Sequence, residues 1–383
     1  MSGGWAGRSP GEKRFNDSSI FTQTFFIMKK IYLMWAVAAV AMTGCSKSEV
    51  VDQAPDAQTG KIGFMSHVSN STRAIDATSF NQFKVYGSYQ MPSSEAHIAI
   101  FNNTTVTKGA DGWKYAATDA DLRYWIEKGT YTFAAYGIEG NALPTGANAN
   151  FRNNEYLNLT GYTCDGTNQN DLVYATKGYG PALATGNPVV SMDFKHILSR
   201  IQFVFKNSFP EGYKIAIDDF KVVNVRNRGN FYGSRFGTND NPWVNPNPQA
   251  GEYEEPGRQP ARPEIVMKFP ADGDVAESGA TATSDFAYVI PFNYKEANVH
   301  IEFRVAVTHV DGDTEVAIFD KTFHAQMTPA WVTGHQYRYT VNLSGSETGL
   351  DPIVFSGSVS DWNDVEDGGN MDIDAGNIPV EGN

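Results

Sequence analysis

The chain has 383 residues, of which 41% are hydrophobic and 19% charged. These are the proportions of folded domains, and at about 100 to 200 residues each there is room for two or so. With 30 basic and 43 acidic residues the formal charge is −13, which argues against nucleic acid or an anionic membrane surface as the main partner. The 36 glycines and 13% aromatics favour short strands and tight turns, and two cysteines, Cys45 and Cys164, are too few for a disulfide-stapled scaffold.

Near the N-terminus, Lys29 and Lys30 precede the apolar run Ile31 to Met42, and Thr43 and Gly44 lead into Cys45. A charged start, a short apolar stretch and small residues together read as a cleaved export signal. The run is about a dozen residues long, whereas a membrane span needs about 20. A cysteine in this position resembles the bacterial lipobox, in which the thiol is acylated and the chain is cut just before it. Cys45 is therefore the expected lipidation site, through which acyl chains would hold the protein at the outer membrane. Residues 1–27 have no part in this scheme and read as an upstream extension. Loss of residues 1–44 removes five basic and two acidic residues and takes the charge to −16.

Residues 45–60 are polar and read as a tether. Strand-like runs of period two then follow at Ile62–Val68, Phe83–Tyr86, His97–Phe101, Gly112–Tyr115, Leu122–Ile126 and Thr130–Tyr136. The Asn-rich stretch Leu143–Asn154 reads as a loop, as does Gly161–Asp171, which contains Cys164. Further runs lie at Asp171–Ala175, Val189–Phe194, Ile201–Phe205 and Ile215–Val225. The segment from Gly233 to Pro263 carries six prolines and reads as a surface excursion. The last predicted strands are Glu264–Phe269, Phe286–Ile290, Val299–Val310, Thr314–Ala325, Tyr337–Leu343 and Ile353–Val359. Asp311-Gly312-Asp313 between two of them is a hairpin signal. This spacing predicts an all-β chain of two tandem β-sandwich domains, at 61–208 and 209–362, followed by an acidic tail at 363–383.

The motifs that carry enzyme chemistry are missing: no phosphate loop, no G-x-S-x-G elbow and no H-E-x-x-H. His300 and His309 share one predicted strand, but nine residues of extended chain separate them by about 30 Å, too far for one metal. Asn370, Asp372, Asp374 and Glu381 have the spacing of a calcium loop, yet Gly376 falls one position late and no flanking helices are predicted. These residues read as part of the acidic tail. No enzyme, metal or cofactor is expected.

Four stretches together resemble the fimbrillin family, the lipoprotein-derived pilus subunits of anaerobic Gram-negative bacteria. They are Ile62 to Ala74; Asp171-Leu172-Val173-Tyr174-Ala175 with Phe194 to Ile201; Ala287-Tyr288-Val289-Ile290-Pro291; and Gly334 to Val341 leading into Ile353-Val354-Phe355 and Val359-Ser360-Asp361-Trp362. The resemblance implies transthyretin-like sandwiches, export as a lipoprotein and assembly by donor-strand exchange at the cell surface. It implies processing between Arg73 and Ala74, which would release the first strand. It also implies a donor strand with Ile353, Phe355 and Val359 on one face and Trp362 as an anchor. The partners would be other pilus subunits, joined head to tail, and a host or bacterial surface receptor. The alternative is a lipid-anchored glycan-binding protein that does not polymerise, with Trp113, Trp125, Tyr232 and Trp243 stacking on sugar rings.

Overall fold

The computed structural model describes residues 60–361, apart from 69–74, 76–77, 182–187, 245–263, 268–273, 276–277, 292–298, 328, 347–348 and 351–353. Its elements in chain order are β1 (Phe64–Val68), β2 (Gln82–Gln90), β3 (His97–Gly109), β4 (Gly112–Lys114), β5 (Thr130–Ile138), β6 (Asn148–Arg152), β7 (Tyr156–Thr163), β8 (Leu172–Tyr179), β9 (Val190–His196), β10 (Ser199–Asn207) and β11 (Tyr213–Val223). They continue with β12 (Arg228–Tyr232), β13 (Trp243–Val244), β14 (Glu264–Val266), β15 (Asp274–Val275), β16 (Thr281–Thr283), β17 (Ala287–Val289), β18 (His300–Asp311), β19 (Thr314–Gln326), β20 (His335–Leu343), β21 (Gly345–Ser346), β22 (Gly349–Leu350) and β23 (Val354–Asp361). The described residues are mostly strand, as the glycine and aromatic content anticipates, with short 3-10 turns between some of them.

A seven-stranded sheet runs in the order β1-β9-β8-β5-β2-β3-β4, and all its neighbours are antiparallel except β1 with β9. Period two explains its core. Phe64, Phe83, Phe101 and Phe133 lie on the inner positions of four different strands and meet in one aromatic cluster. The opposite face contributes Tyr86, Tyr136 and Tyr174, which pack against the smaller sheet β13-β12-β7-β6.

The other two main sheets form a sandwich. One has the order β16-β10-β20-β23 with β17 also on β10; the other has β14-β11-β18-β19 with β15 also on β11. Phe203 and Phe205 from β10 meet Phe220 and Phe303 from the facing sheet, with Phe205 and Phe220 centroids 4.9 Å apart at a near-perpendicular tilt of 85°. Aromatic quadrupoles favour such edge-to-face contacts.

Three expectations are corrected. The chain does not divide at 208/209: β10 belongs to the later sandwich, while β12 and β13 pair back onto β7. Strand pairing between residues as far apart as Arg200 and Gln336 leaves no mark in local composition. Leu122–Ile126 is not a strand but a single bridge, Tyr124 opposite Lys61. The Asn-rich stretch is not all loop, because β6 lies within it and turns into β7 through Asn153 and Asn154, both at positive φ. Asparagine tolerates that conformation better than most side chains, so these residues that argue against a strand are the ones that make its hairpin.

Candidate assembly site

β1 stands at the end of the sheet order and pairs along one edge with β9, Phe64 opposite Val190 and Val68 opposite Phe194. Just before it, Ile62 N–H donates to the Arg123 carbonyl at 2.8 Å and Trp125 N–H to that of Gly60 at 2.9 Å. The leading residues are thus held between β9 and the 123–125 segment, beside the half-exposed side chains of Tyr124 and Ile126. Inside, the Phe64 ring is fully buried, edge-on to Phe101 at 5.3 Å and to Tyr115 at 5.6 Å. Removing β1 would open a groove lined by these aromatics, with the β9 backbone unpaired along one side.

The chain beyond β1 is fixed separately. Ile75 N–H donates to Asp171 Oδ2 at 2.9 Å, and Leu172 N–H donates to Asp171 Oδ1 at 2.8 Å. The same carboxyl meets His196 Nδ1 at 3.0–3.1 Å, and both side chains are almost completely buried. A buried carboxyl needs several such partners to offset its lost hydration. Asp171 and His196 belong to the second stretch of the sequence resemblance, and they tie Ile75 to the ends of β8 and β9. Arg200 is near enough to Asp171 to feel its charge. It is buried, stacks over Phe286 at 4.3 Å and donates from Nε to Gln336 at 2.8 Å, and its burial lowers its pKa.

The residues singled out from sequence fall as follows. Cys45, Arg73, Ala74, Ile353 and Trp362 lie outside the described residues, as do Asn370, Asp372, Asp374 and Glu381. Phe355 and Val359 lie in β23, where the backbone is antiparallel to β20 and opposite Val341 and Tyr337. The aromatic motive for glycan stacking is corrected. Trp113, Trp125 and Trp243 are buried in the cores and Tyr232 is half-buried, because each Trp falls on an inward position of a short strand or loop. Cys164 is also buried, donates its thiol to the Tyr288 carbonyl, and has its pKa pushed up by burial.

Sequence spacing missed one cluster. His300 and Glu302 are two apart on one face of β18, and the β18–β19 register sets His324 opposite Glu302. Burial alone would raise the Glu302 carboxyl, but hydrogen bonds from His300 and Lys221 and the charges of Lys221 and His324 outweigh it and hold it at about 2. Only the pairing of β18 with β19 assembles this group, so no motif in the sequence announces it.

The fimbrillin-like family model matches residues 72–362. The chain belongs to the fimbrillin-like family. The fold of this fimbrillin-like chain is similar to that of a fimbrial protein from Bacteroides vulgatus, at 15% identity and a TM-score of 0.57, over 79% of this chain and 99% of that one. It also matches the fimbrial anchor protein Mfa2 from Porphyromonas gingivalis, at 12% identity and a TM-score of 0.33, over 79% of this chain and 98% of that one. No curated protein sequence matches it.

Proposed function

We propose that this fimbrillin-like protein is a structural or accessory subunit of a surface pilus. It would be exported as a lipoprotein through Cys45, cut between Arg73 and Ala74, and assembled by donor-strand exchange at the outer membrane. The observation that carries the reading is the contrast between β1 and Ile75. β1 sits at the end of its sheet order, between β9 and the 123–125 segment, whereas Ile75, two residues beyond Arg73, is pinned to Asp171. A cut between them would free the strand and leave the new N-terminus tied to the body.

The vacated groove would be refilled by a strand of another subunit through β-augmentation, in which main-chain hydrogen bonds give affinity and alternate side chains fill pockets. The proposed donor is the segment from Ile353 to Val365, of which β23 has to leave β20 to serve a neighbour. Such a head-to-tail contact does not close on itself, so it builds a filament. The partners are then other pilus subunits and, at an exposed end, a surface receptor. The fimbrial family is structural rather than catalytic, and no enzymatic role is proposed.

The test is to incubate the chain starting at Ser46 with an arginine-specific protease, then sequence the new N-termini and size the products. A new terminus at Ala74 with a ladder of oligomers is the expected result. A chain cut at Ala74 that remains monomeric, with β1 still bound, overturns strand exchange, and resistance to cutting overturns the processing step.

A further inference from the structure

We propose that His300, Glu302 and His324 form a binding site for a divalent transition metal, of the class that takes Zn²⁺, on the outer face of the β18–β19 ribbon. The three side chains converge on one point. His300 Nε2 lies 3.0 Å and His324 Nδ1 lies 3.1 Å from the same carboxylate oxygen, Glu302 Oε1. The three ligand atoms all lie within 4.8 Å of one another.

The spacing suits the ion. Zinc binds imidazole nitrogen and carboxylate oxygen at about 2.0–2.2 Å, so neighbouring ligands on a tetrahedron stand about 3.3 Å apart. The two nitrogen-to-oxygen separations need to open by only a few tenths of an ångström. Two imidazoles and one carboxylate select a borderline-soft ion over Mg²⁺ or Ca²⁺, which prefer oxygen donors.

The surroundings also fit. The second oxygen of Glu302, Oε2, meets Lys221 Nζ at 3.1 Å, and Lys221 in turn meets Glu264 at 3.1 Å. That contact holds the carboxylate so that Oε1 faces the two imidazoles, the orienting role that outer partners play at metal sites. Backbone pairing of β18 with β19 fixes two of the ligands before any ion arrives. Side-chain exposure is 15% for His300 and 14% for Glu302 but 49% for His324, so the fourth position opens to water and the ion has a path in. A bound ion would cross-link β19, at the end of its sheet order, to β18.

The test uses the chain starting at Ser46, stripped with a chelator and titrated with Zn²⁺ against a chromogenic competitor, with Co²⁺ as the spectroscopic probe. One tightly held ion per chain is expected, with the intense visible bands of a four-coordinate Co²⁺ site. His324→Ala, at a half-exposed position, should keep the thermal melting of the metal-free protein yet weaken Zn²⁺ binding at least tenfold and remove the bands. His309→Ala should change neither. Absence of stoichiometric binding overturns the site. So does binding that survives both His300→Ala and His324→Ala, since the ion would then sit on other histidines.

Discussion

At the scale of single residues, two carboxyl groups stand out because their partners come from distant parts of the chain. Asp171 is buried against Ile75, Leu172 and His196, so its loss strands polar groups in the interior. Leaving a buried donor without its acceptor costs about 1–3 kcal/mol. Asp171→Ala should show a destabilisation of that order in urea unfolding, and it should also loosen the segment at Ile75, read as faster proteolysis there. Glu302 gives a pH signature. Its carboxyl falls from an ordinary 4.5 to about 2 on folding, so the unfolded chain binds its proton first as the pH drops. The stability it contributes is complete above pH 4.5 and is lost as the pH falls towards 2. Metal-free Glu302→Gln should therefore flatten the stability profile between those values, measured by denaturant unfolding at stepped pH.

At the scale of elements, β1 and the β18–β19 hairpin behave differently. Phe64 is the anchor of β1, and truncating a fully buried Phe costs about 3–5 kcal/mol. Phe64→Ala should lower stability by that order and weaken the hold on β1 in particular. A stricter test joins β1 to β9. His67 and Asp193 are register partners, and paired strand positions lie within the Cα range a disulfide spans. His67→Cys with Asp193→Cys should give a protein that is still cut after Arg73 yet polymerises only after a reductant is added, by size-exclusion chromatography. In the hairpin, Asp311 pairs with Thr314 and Gly312 takes φ +59° in the two-residue turn. A β-branched residue there is strained by about 1–2 kcal/mol, so Gly312→Val should lower the melting temperature without changing the assembly state.

At the scale of the whole molecule, the sheets interleave along the chain. β10 follows β9 after two residues yet joins the other sandwich, and β12 returns to pair with β7. The link between β9 and β10 is tucked into the core, where Ile197 and Leu198 are buried with Tyr288 and Ile290, and the Trp243 indole donates to the Ile197 carbonyl. A cut of the gene at 208/209 therefore removes β10 from its sheet. The fragment 209–362 should fail to fold by itself, checked by loss of cooperative thermal unfolding.

The strands of the sandwiches were legible where apolar and polar residues alternate, because period two is written in the sequence itself: β1, β5, β18, β19 and β20 all lie close to their predicted spans, whereas only the first half of β2 was marked. The hairpin at Gly312 was legible for the same local reason. Likewise the enzyme motifs could be searched for directly, since their spacing is fixed along the chain. The strands β6, β7 and β12 were hidden by asparagine, glycine and mixed polarity, and they exist because partners complete their ladders. Only the tertiary structure decided that Trp113, Trp125 and Trp243 serve the cores and that His300, Glu302 and His324 meet. Burial and cross-strand register depend on which distant segments pair, and pairing is a property of the folded chain that no single stretch of residues carries.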